Sequence, residues 1–121
     1  MAAPRDLDER LLEFAARIVR FVQILPNNLI GKRIGDQLLR SGTSVGANYE
    51  EAQGAESHND FVHKLQIALK EIRETNYWLR VLERAGVMTN QEAKDLIDES
   101  RQLRAMLSKA VATAKGTSKT K

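Results

Sequence analysis

Cysteine is absent from this 121-residue chain, and proline and aromatic residues are scarce. Without a thiol, the chain has no disulfide framework, no cysteine nucleophile and no cysteine-based metal site. With only two prolines, in a composition that is 42% apolar and 29% charged, long segments are free to be helical. The length corresponds to one domain, which is large enough to fold around its own core without a crosslink.

Long apolar runs are also missing. The most apolar stretch, residues 11–25, is interrupted by Glu13, Arg17, Arg20 and Gln23, whereas a membrane-spanning helix needs about 20 mostly apolar residues. The N-terminal segment MAAPRDLDER lacks the apolar core of a secretory signal. We therefore expect a cytoplasmic protein.

The body of the chain has no excess charge of either sign. The net charge is +3, and all 16 acidic residues lie within residues 1–114, where basic residues match them in number. The excess therefore belongs to Lys115, Lys119 and Lys121. We predict a domain at 1–114 and a disordered basic tail at 115–121, with no strong electrostatic capture of a polyanion by the domain itself.

Apolar residues recur every three or four positions along the chain, a period typical of amphipathic helices, and strand alternation is not sustained. This predicts four helices, the second of them spanning about residues 29–55. Residue types that start or stop helices mark the boundaries, namely Pro26, Asn27, Asn28, Ser57, Gly86 and a capping box of Thr89 and Glu92. Short connections between long helices predict an all-α, up-down-up-down four-helix bundle.

The second helix differs from the others because it contains four glycines, Gly31, Gly35, Gly42 and Gly46. Each mid-helix glycine lowers stability by about 0.5–1 kcal/mol relative to alanine. At 100° per residue the four fall within about 60° of one another, on one edge of the apolar face. Such an edge lets another backbone approach closely, from a neighbouring helix or from a second subunit.

A polar stripe lies on the other edge of the same apolar face. Its members are spaced three or four residues apart and are Gln37, Ser41, Ser44, Asn48 and Glu51. The stripe is either a solvated surface or a hydrogen-bonded seam, buried between helices or between subunits. Its position beside the core favours the seam, because solvated surfaces usually lie opposite the core.

The third helix carries an apolar patch away from its main stripe, formed by Ile67, Trp78 and Val81. Large apolar groups in such positions are often partner contacts, and tryptophan is enriched at interface hot spots. The alternative is that Trp78 packs over the edge of the bundle. Together with the glycine edge, the patch favours a homo-oligomer.

The residue patterns of common catalytic and metal sites are missing. The sequence has no P-loop, no G-x-S-x-G and no G-x-G-x-x-G motif. Asp60-x-x-His63 is the only near match to the Glu-x-x-His pairs of di-iron bundles, and it lacks the partner ligands that such a site requires. We therefore predict no enzymatic activity, no metal and no cofactor.

The segment LLRSGTSVGANYEEAQGAESHNDFVHKLQIALKEIRETNYWL, together with Gln37 just before it, resembles a known family. The pattern Q-x-x-R-S-x-x-S-x-x-x-N-x-x-E is followed by a helix that carries L-x-I-A and then E-x-x-x-W-L. The matching positions are Gln37, Arg40, Ser41, Ser44, Asn48, Glu51, Leu65, Ile67, Ala68, Glu74, Trp78 and Leu79. The similarity is to the four-helix-bundle proteins encoded in intervening sequences of bacterial 23S rRNA genes, once labelled ribosomal proteins.

This resemblance implies a ring-shaped homopentamer, and it adds Glu74 to the candidate interface or seam residues. Relatives include accessory proteins of diversity-generating retroelements, which assist a reverse transcriptase and bind nucleic acid. Two functions stay open. One is an oligomeric protein associated with RNA, or with an RNA-processing or reverse-transcribing partner. The other is a structural adaptor with no nucleic-acid role.

For the RNA hypothesis, positive charge that no nearby carboxylate matches indicates the contact. Residues 29–45 hold three basic residues against Asp36 alone. The candidate contacts are Lys32, Arg33 and Arg40 on the second helix and Lys115, Lys119 and Lys121 in the tail. Because few aromatic residues are available to stack on bases, we expect phosphate contacts that are weak, sequence-tolerant and salt-dependent.

Overall fold

The computed structural model describes the backbone of residues 2–119 and the side chains of residues 7–116. It contains four helices, α1 (Ala2–Gln23), α2 (Leu29–Gln53), α3 (His58–Arg84) and α4 (Gln91–Lys119), and no strand within the described range. The all-α prediction is confirmed. Helix α2 ends two residues before the predicted Ala55, a difference within the usual uncertainty of helix ends.

Each helix contacts two others, in the order α1–α2–α3–α4 and back to α1. Since the connections are only a few residues long, consecutive helices run in opposite directions around one core, which is an up-down-up-down bundle. The largest fully buried side chains are Phe14, Phe21, Leu11, Ile18, Leu38, Leu65, Ile72, Leu79, Leu82, Leu96, Leu103 and Leu107. None of the described helices is long and apolar enough to cross a membrane.

The residues that were predicted to start or stop helices lie at four helix boundaries. Helix α1 ends at the residue three positions before Pro26. The side chains of Asn28 and Ser57 each accept a hydrogen bond of 3.0 Å from the backbone N–H three residues on, and so cap α2 and α3. Gly86, with φ of 75°, follows the end of α3 in a conformation that other residues avoid.

The predicted capping box at the start of α4 is wrong by one residue. Asn90, not Thr89, caps the helix, because its Oδ1 accepts a 2.9 Å hydrogen bond from the N–H of Ala93. Glu92 is not a capping residue either, since its carboxylate forms an ion pair of 3.1 Å with Arg17 on α1. Asparagine is a stronger helix cap than threonine, and the Glu92 carboxylate pairs with Arg17 of α1 where the local pattern predicted a capping bond.

The glycine edge of α2 is covered by α1 of the same chain. A Cβ placed on Gly42 would lie 2.9 Å from the side chain of Ile18, and one on Gly46 would lie 3.4 Å from Leu11. The expected close neighbour is therefore α1. The glycine edge thus does not support a contact with a second subunit.

The predicted basic tail, 115–121, lies partly outside the described residues, since the backbone is described as far as Lys119 and the side chains as far as residue 116. Helix α4 is described to Lys119, and the side chain of Lys115 is exposed near its end. The side chains of Lys119 and Lys121 fall outside the described range. The disorder of this segment stays a prediction.

Candidate functional site

The polar stripe of α2 faces α3, and its innermost member is fully buried. The hydroxyl oxygens of Ser41 and Thr75, both 0% exposed, are 2.9 Å apart. Thr75 Oγ1 also lies 2.8 Å from the carbonyl oxygen of Glu71. The two hydroxyls therefore satisfy each other inside the bundle, where an unpaired hydroxyl would be destabilising.

Outside this buried pair, Arg40 joins α2 to two carboxylates of α3. Its Nη1 lies 3.1 Å from Glu71 Oε1, and its Nη2 contacts Glu74 Oε2. Trp78 Nε1 donates a 3.1 Å hydrogen bond to the same oxygen of Glu74. The hydrogen bond from Arg40 lowers the pKa of Glu74 below its usual value, with a smaller contribution in the same direction from Trp78. We call the set Arg40, Ser41, Glu71, Glu74 and Thr75 the α2–α3 seam.

The rest of the stripe is bonded either along α2 or across to α3. Asn48 Nδ2 donates to the carbonyl oxygen of Ser44 at 2.9 Å, and both residues are partly buried. Glu51 is exposed and forms a 2.7 Å ion pair with Lys64 of α3. Gln37 is exposed, with its Oε1 3.5 Å from Arg40 Nη2. The stripe thus changes from a buried hydrogen-bonded pair at Ser41 to a solvated edge at its two ends.

The apolar patch of α3 is partly covered by its own bundle. Ile67, Trp78 and Val81 are all partly buried, and the Trp78 ring packs against the core. Tyr77 meets Trp78 edge to face, with ring centroids 5.3 Å apart, and is itself 53% exposed. A partner contact through this patch stays a prediction.

The basic residues predicted on α2 differ in their surroundings. Lys32 and Arg33 are exposed and form no ion pair within the described part of the chain. The charge of Arg40, which is not matched within residues 29–45, is matched across the bundle, because Glu71 and Glu74 of α3 pair with it. The count over residues 29–45 missed these carboxylates because they lie more than thirty positions away in sequence.

Residues 7–109 match the family model described as 23S rRNA-intervening sequence protein. The chain belongs to this family. A solved structure of a protein of unknown function from the S23 ribosomal protein family of Bacteroides thetaiotaomicron is 37% identical to it, with a TM-score of 0.82. That match covers 91% of this chain and 98% of the other. No curated protein matches the chain.

The polar positions of the pattern by which the chain resembles this family meet where α2 contacts α3. Arg40, Ser41 and Glu74 belong both to that pattern and to the seam, and Trp78 bonds directly to Glu74. The described residues contain no group of three or more histidine, cysteine, aspartate or glutamate side chains that could hold a metal ion. The arrangement can fix the register of two helices, since each polar group has a partner on its own or the neighbouring helix.

A second set of basic residues, which was not among the predicted contacts, lies between α3 and α4. Arg80 of α3 and Arg101 and Arg104 of α4 line one groove of about 480 Å³ between these helices. The sequence does indicate the two on α4, because Glu99 is the last acidic residue of the chain and the basic residues after it have no carboxylate nearby in sequence on their C-terminal side. Residues 87–114 are neutral as a whole, and this balance conceals acidic residues in the first half and basic residues in the second.

Proposed function

We propose that the protein is a non-enzymatic, self-associating helical bundle that binds RNA or assists an RNA-processing or reverse-transcribing partner. The observation that carries this proposal is that polar residues of the family pattern form bonds within the bundle. Ser41 and Arg40 bond to groups of α3 in their own chain and so hold α2 against α3. The description of the family, which names the intervening sequences of 23S rRNA, supports the link to RNA.

Self-association is supported by apolar side chains that the bundle leaves exposed. Among residues 7–116, all of the large exposed hydrophobic residues but Tyr77 belong to α1, α2 or the connection between them. They are Leu12, Val19, Ile24, Leu29, Ile30 and Leu39. Leu12 and Leu29 are 64% and 65% exposed, and exposed apolar surface that is contiguous often indicates a protein contact. The resemblance to ring-forming relatives leads us to propose five copies.

Native mass spectrometry at micromolar concentration tests the assembly. The expected mass is five times that of the 13.6 kDa chain, and a monomer would contradict the proposal. The double variant Leu12→Glu/Leu39→Glu should dissociate the assembly, because it places charges on the exposed apolar surface. Tyr77→Glu, on α3, is the matched control, and loss of assembly in this variant alone would assign the contact to the Trp78 side instead.

The RNA association is tested by the fluorescence anisotropy of a labelled 20-nucleotide uridine RNA at two salt concentrations. We expect binding at low salt that weakens steeply as salt is raised, because phosphate contacts release counterions. The alternative function, a structural adaptor with no nucleic-acid role, is favoured by the balance of charge over residues 1–114. Undetectable binding at low salt would decide for the adaptor.

A further inference from the structure

The groove between α3 and α4 combines three arginines with no carboxylate. Its lining residues are Asn76, Arg80, Arg101, Arg104, Ala105 and Ser108. All three arginines are exposed, so their guanidinium groups are accessible from solution. None of the three forms an ion pair within the described residues.

Elsewhere between the helices, basic residues are paired with carboxylates. Arg10 pairs with Glu99, Arg17 with Glu92, Arg40 with Glu71 and Glu74, and Lys94 with Glu83. The last of these pairs also belongs to the α3–α4 contact, but it does not include any of the three groove arginines. Like charges gathered without a partner repel one another and favour an anion from solution. Within the described residues, the groove thus gathers three arginines between two helices without a carboxylate to compensate their charge.

One of the three arginines, Arg80, is fixed by a hydrogen bond to a buried side chain. Arg80 Nε donates a 2.8 Å hydrogen bond to Asn76 Oδ1, and Asn76 Nδ2 donates a 2.8 Å bond to Ser100 Oγ. Asn76 and Ser100 are 4% and 0% exposed, so this support is part of the interior. With its Nε fixed, the Nη groups of Arg80 have no acceptor within the described residues and remain available to a ligand. A guanidinium positioned in this way loses less conformational freedom on binding.

The helix dipole does not account for Arg101 and Arg104. Cations are stabilised by the negative end of a helix only within about the last turn. Both arginines lie near the middle of α4, which extends to Lys119. Neither a helix terminus nor a carboxylate of the described residues therefore compensates the charge of these two arginines beside Arg80.

The chemistry of the groove identifies the ligand class. Guanidinium groups bind phosphate oxygens through paired, charge-assisted hydrogen bonds. The lining has no aromatic side chain on which a base could stack. We propose that this arginine groove binds phosphate groups of an RNA backbone through Arg80, Arg101 and Arg104; the identification of RNA rests on the function proposed above. Because backbone contacts carry no sequence information, binding here is sequence-tolerant.

The test compares two triple variants with the same net charge, using the labelled 20-nucleotide uridine RNA. R80Q/R101Q/R104Q removes the groove charges, and R20Q/K64Q/K70Q removes three charges that neither line the groove nor belong to the candidate contacts on α2 or in the tail. We expect the groove variant to lose tenfold or more in affinity at low salt, and the control at most threefold. The salt slope of the groove variant should fall by about 2, since each phosphate contact on a single strand contributes about 0.7. Equal losses, or a larger loss in the control, would overturn the groove as the contact.

A second measurement separates the groove from the RNA hypothesis. Tripolyphosphate is titrated into the wild-type protein while the arginine Nε–Hε signals are followed by NMR. Saturable shifts of the signals of the three groove arginines, absent from the triple variant, would support phosphate binding by the groove. If these shifts occur and the uridine RNA does not bind, the groove binds phosphate and RNA is overturned as its ligand. Absence of these shifts overturns the groove proposal whatever the RNA result, and circular dichroism confirms that each variant is folded.

Discussion

The glycine edge of α2 predicts that one substitution, glycine to alanine, changes stability in opposite directions at neighbouring positions. In a helix interior the substitution alone stabilises by about 0.5–1 kcal/mol, because alanine loses less backbone entropy on folding. The packing of α1 adds a second contribution that depends on the space for the new methyl group. At Gly46 the nearest atom is Leu11 Cβ at 3.4 Å, an ordinary contact. Gly46→Ala should therefore raise the free energy of unfolding by about 0.5–1 kcal/mol.

At Gly42 the same methyl group would meet both γ carbons of Ile18 at 2.9 Å. Ile18 is 0% exposed and branched at Cβ, so it cannot rotate away without displacing α1. Overpacking of a core by one methyl group costs about 1–3 kcal/mol. Subtracting the gain in helix propensity leaves a destabilisation of up to about 2.5 kcal/mol. At Gly31 the new Cβ would lie against the backbone oxygen of Pro26, so Gly31→Ala should be the most damaging of the three.

Urea unfolding followed by circular dichroism at a fixed protein concentration measures this series. With an m-value of about 1–3 kcal/mol per molar urea, each kcal/mol shifts the midpoint by several tenths of a molar, which is readily resolved. The expected order of stability is Gly46→Ala above wild type, then Gly42→Ala, then Gly31→Ala. If Gly42→Ala is as stabilising as Gly46→Ala, α1 does not approach α2 as closely as the structure describes, and the reasoning fails.

Three further predictions concern the α2–α3 seam and its pH dependence. Thr75→Val should destabilise the protein more than Ser41→Ala, by about 1 kcal/mol. Without the Thr75 hydroxyl, Ser41 keeps only a 3.5 Å contact to a carbonyl oxygen, whereas without the Ser41 hydroxyl, Thr75 keeps its 2.8 Å bond to the carbonyl oxygen of Glu71. The reverse order in urea unfolding would contradict this. The double variant should be less destabilised than the sum of the two single ones, which a double-mutant cycle measures. Arg40 lowers the pKa of Glu74 in the folded protein, so the ionised carboxylate stabilises the fold. This stabilisation is complete above the pKa of glutamate in the unfolded chain, about 4.3, and it is lost as the pH falls through the lower pKa of the folded state. Glu74→Gln should flatten the acid limb of the stability profile by less than about 1 kcal/mol, since both partners are partly exposed, and an unchanged acid limb would argue against the pair.

The fold was predictable because its signals are local. The spacing of apolar residues defines each helix over several turns, and the caps at Asn28 and Ser57 depend on atoms three residues away. The capping box at Thr89 was wrong because Glu92 has a partner, Arg17, 75 residues distant in sequence. A pattern confined to one turn cannot represent that competition.

The α2 side of the seam was predictable for the same reason, and its α3 side was only partly so. Spacings of three and four residues place Ser41 and its neighbours on one edge of α2. Which α3 side chains meet them depends on the rotation and relative shift of two helices. Helical spacing alone therefore did not distinguish Glu71 and Thr75, which complete the seam, from the other polar residues of α3.

Charge that is balanced in sequence can still be unbalanced in space, and α4 shows why this matters for function. Its carboxylates Glu92 and Glu99 turn towards α1, where Arg17 and Arg10 use them. Those carboxylates cannot at the same time neutralise arginines that face α3. The bundle can thus be close to neutral over residues 1–114 and still present a basic groove between α3 and α4. A neutral domain charge therefore argues against binding of a polyanion over the whole surface, but not against phosphate contacts confined to one groove, and the equal-charge variants separate these two possibilities.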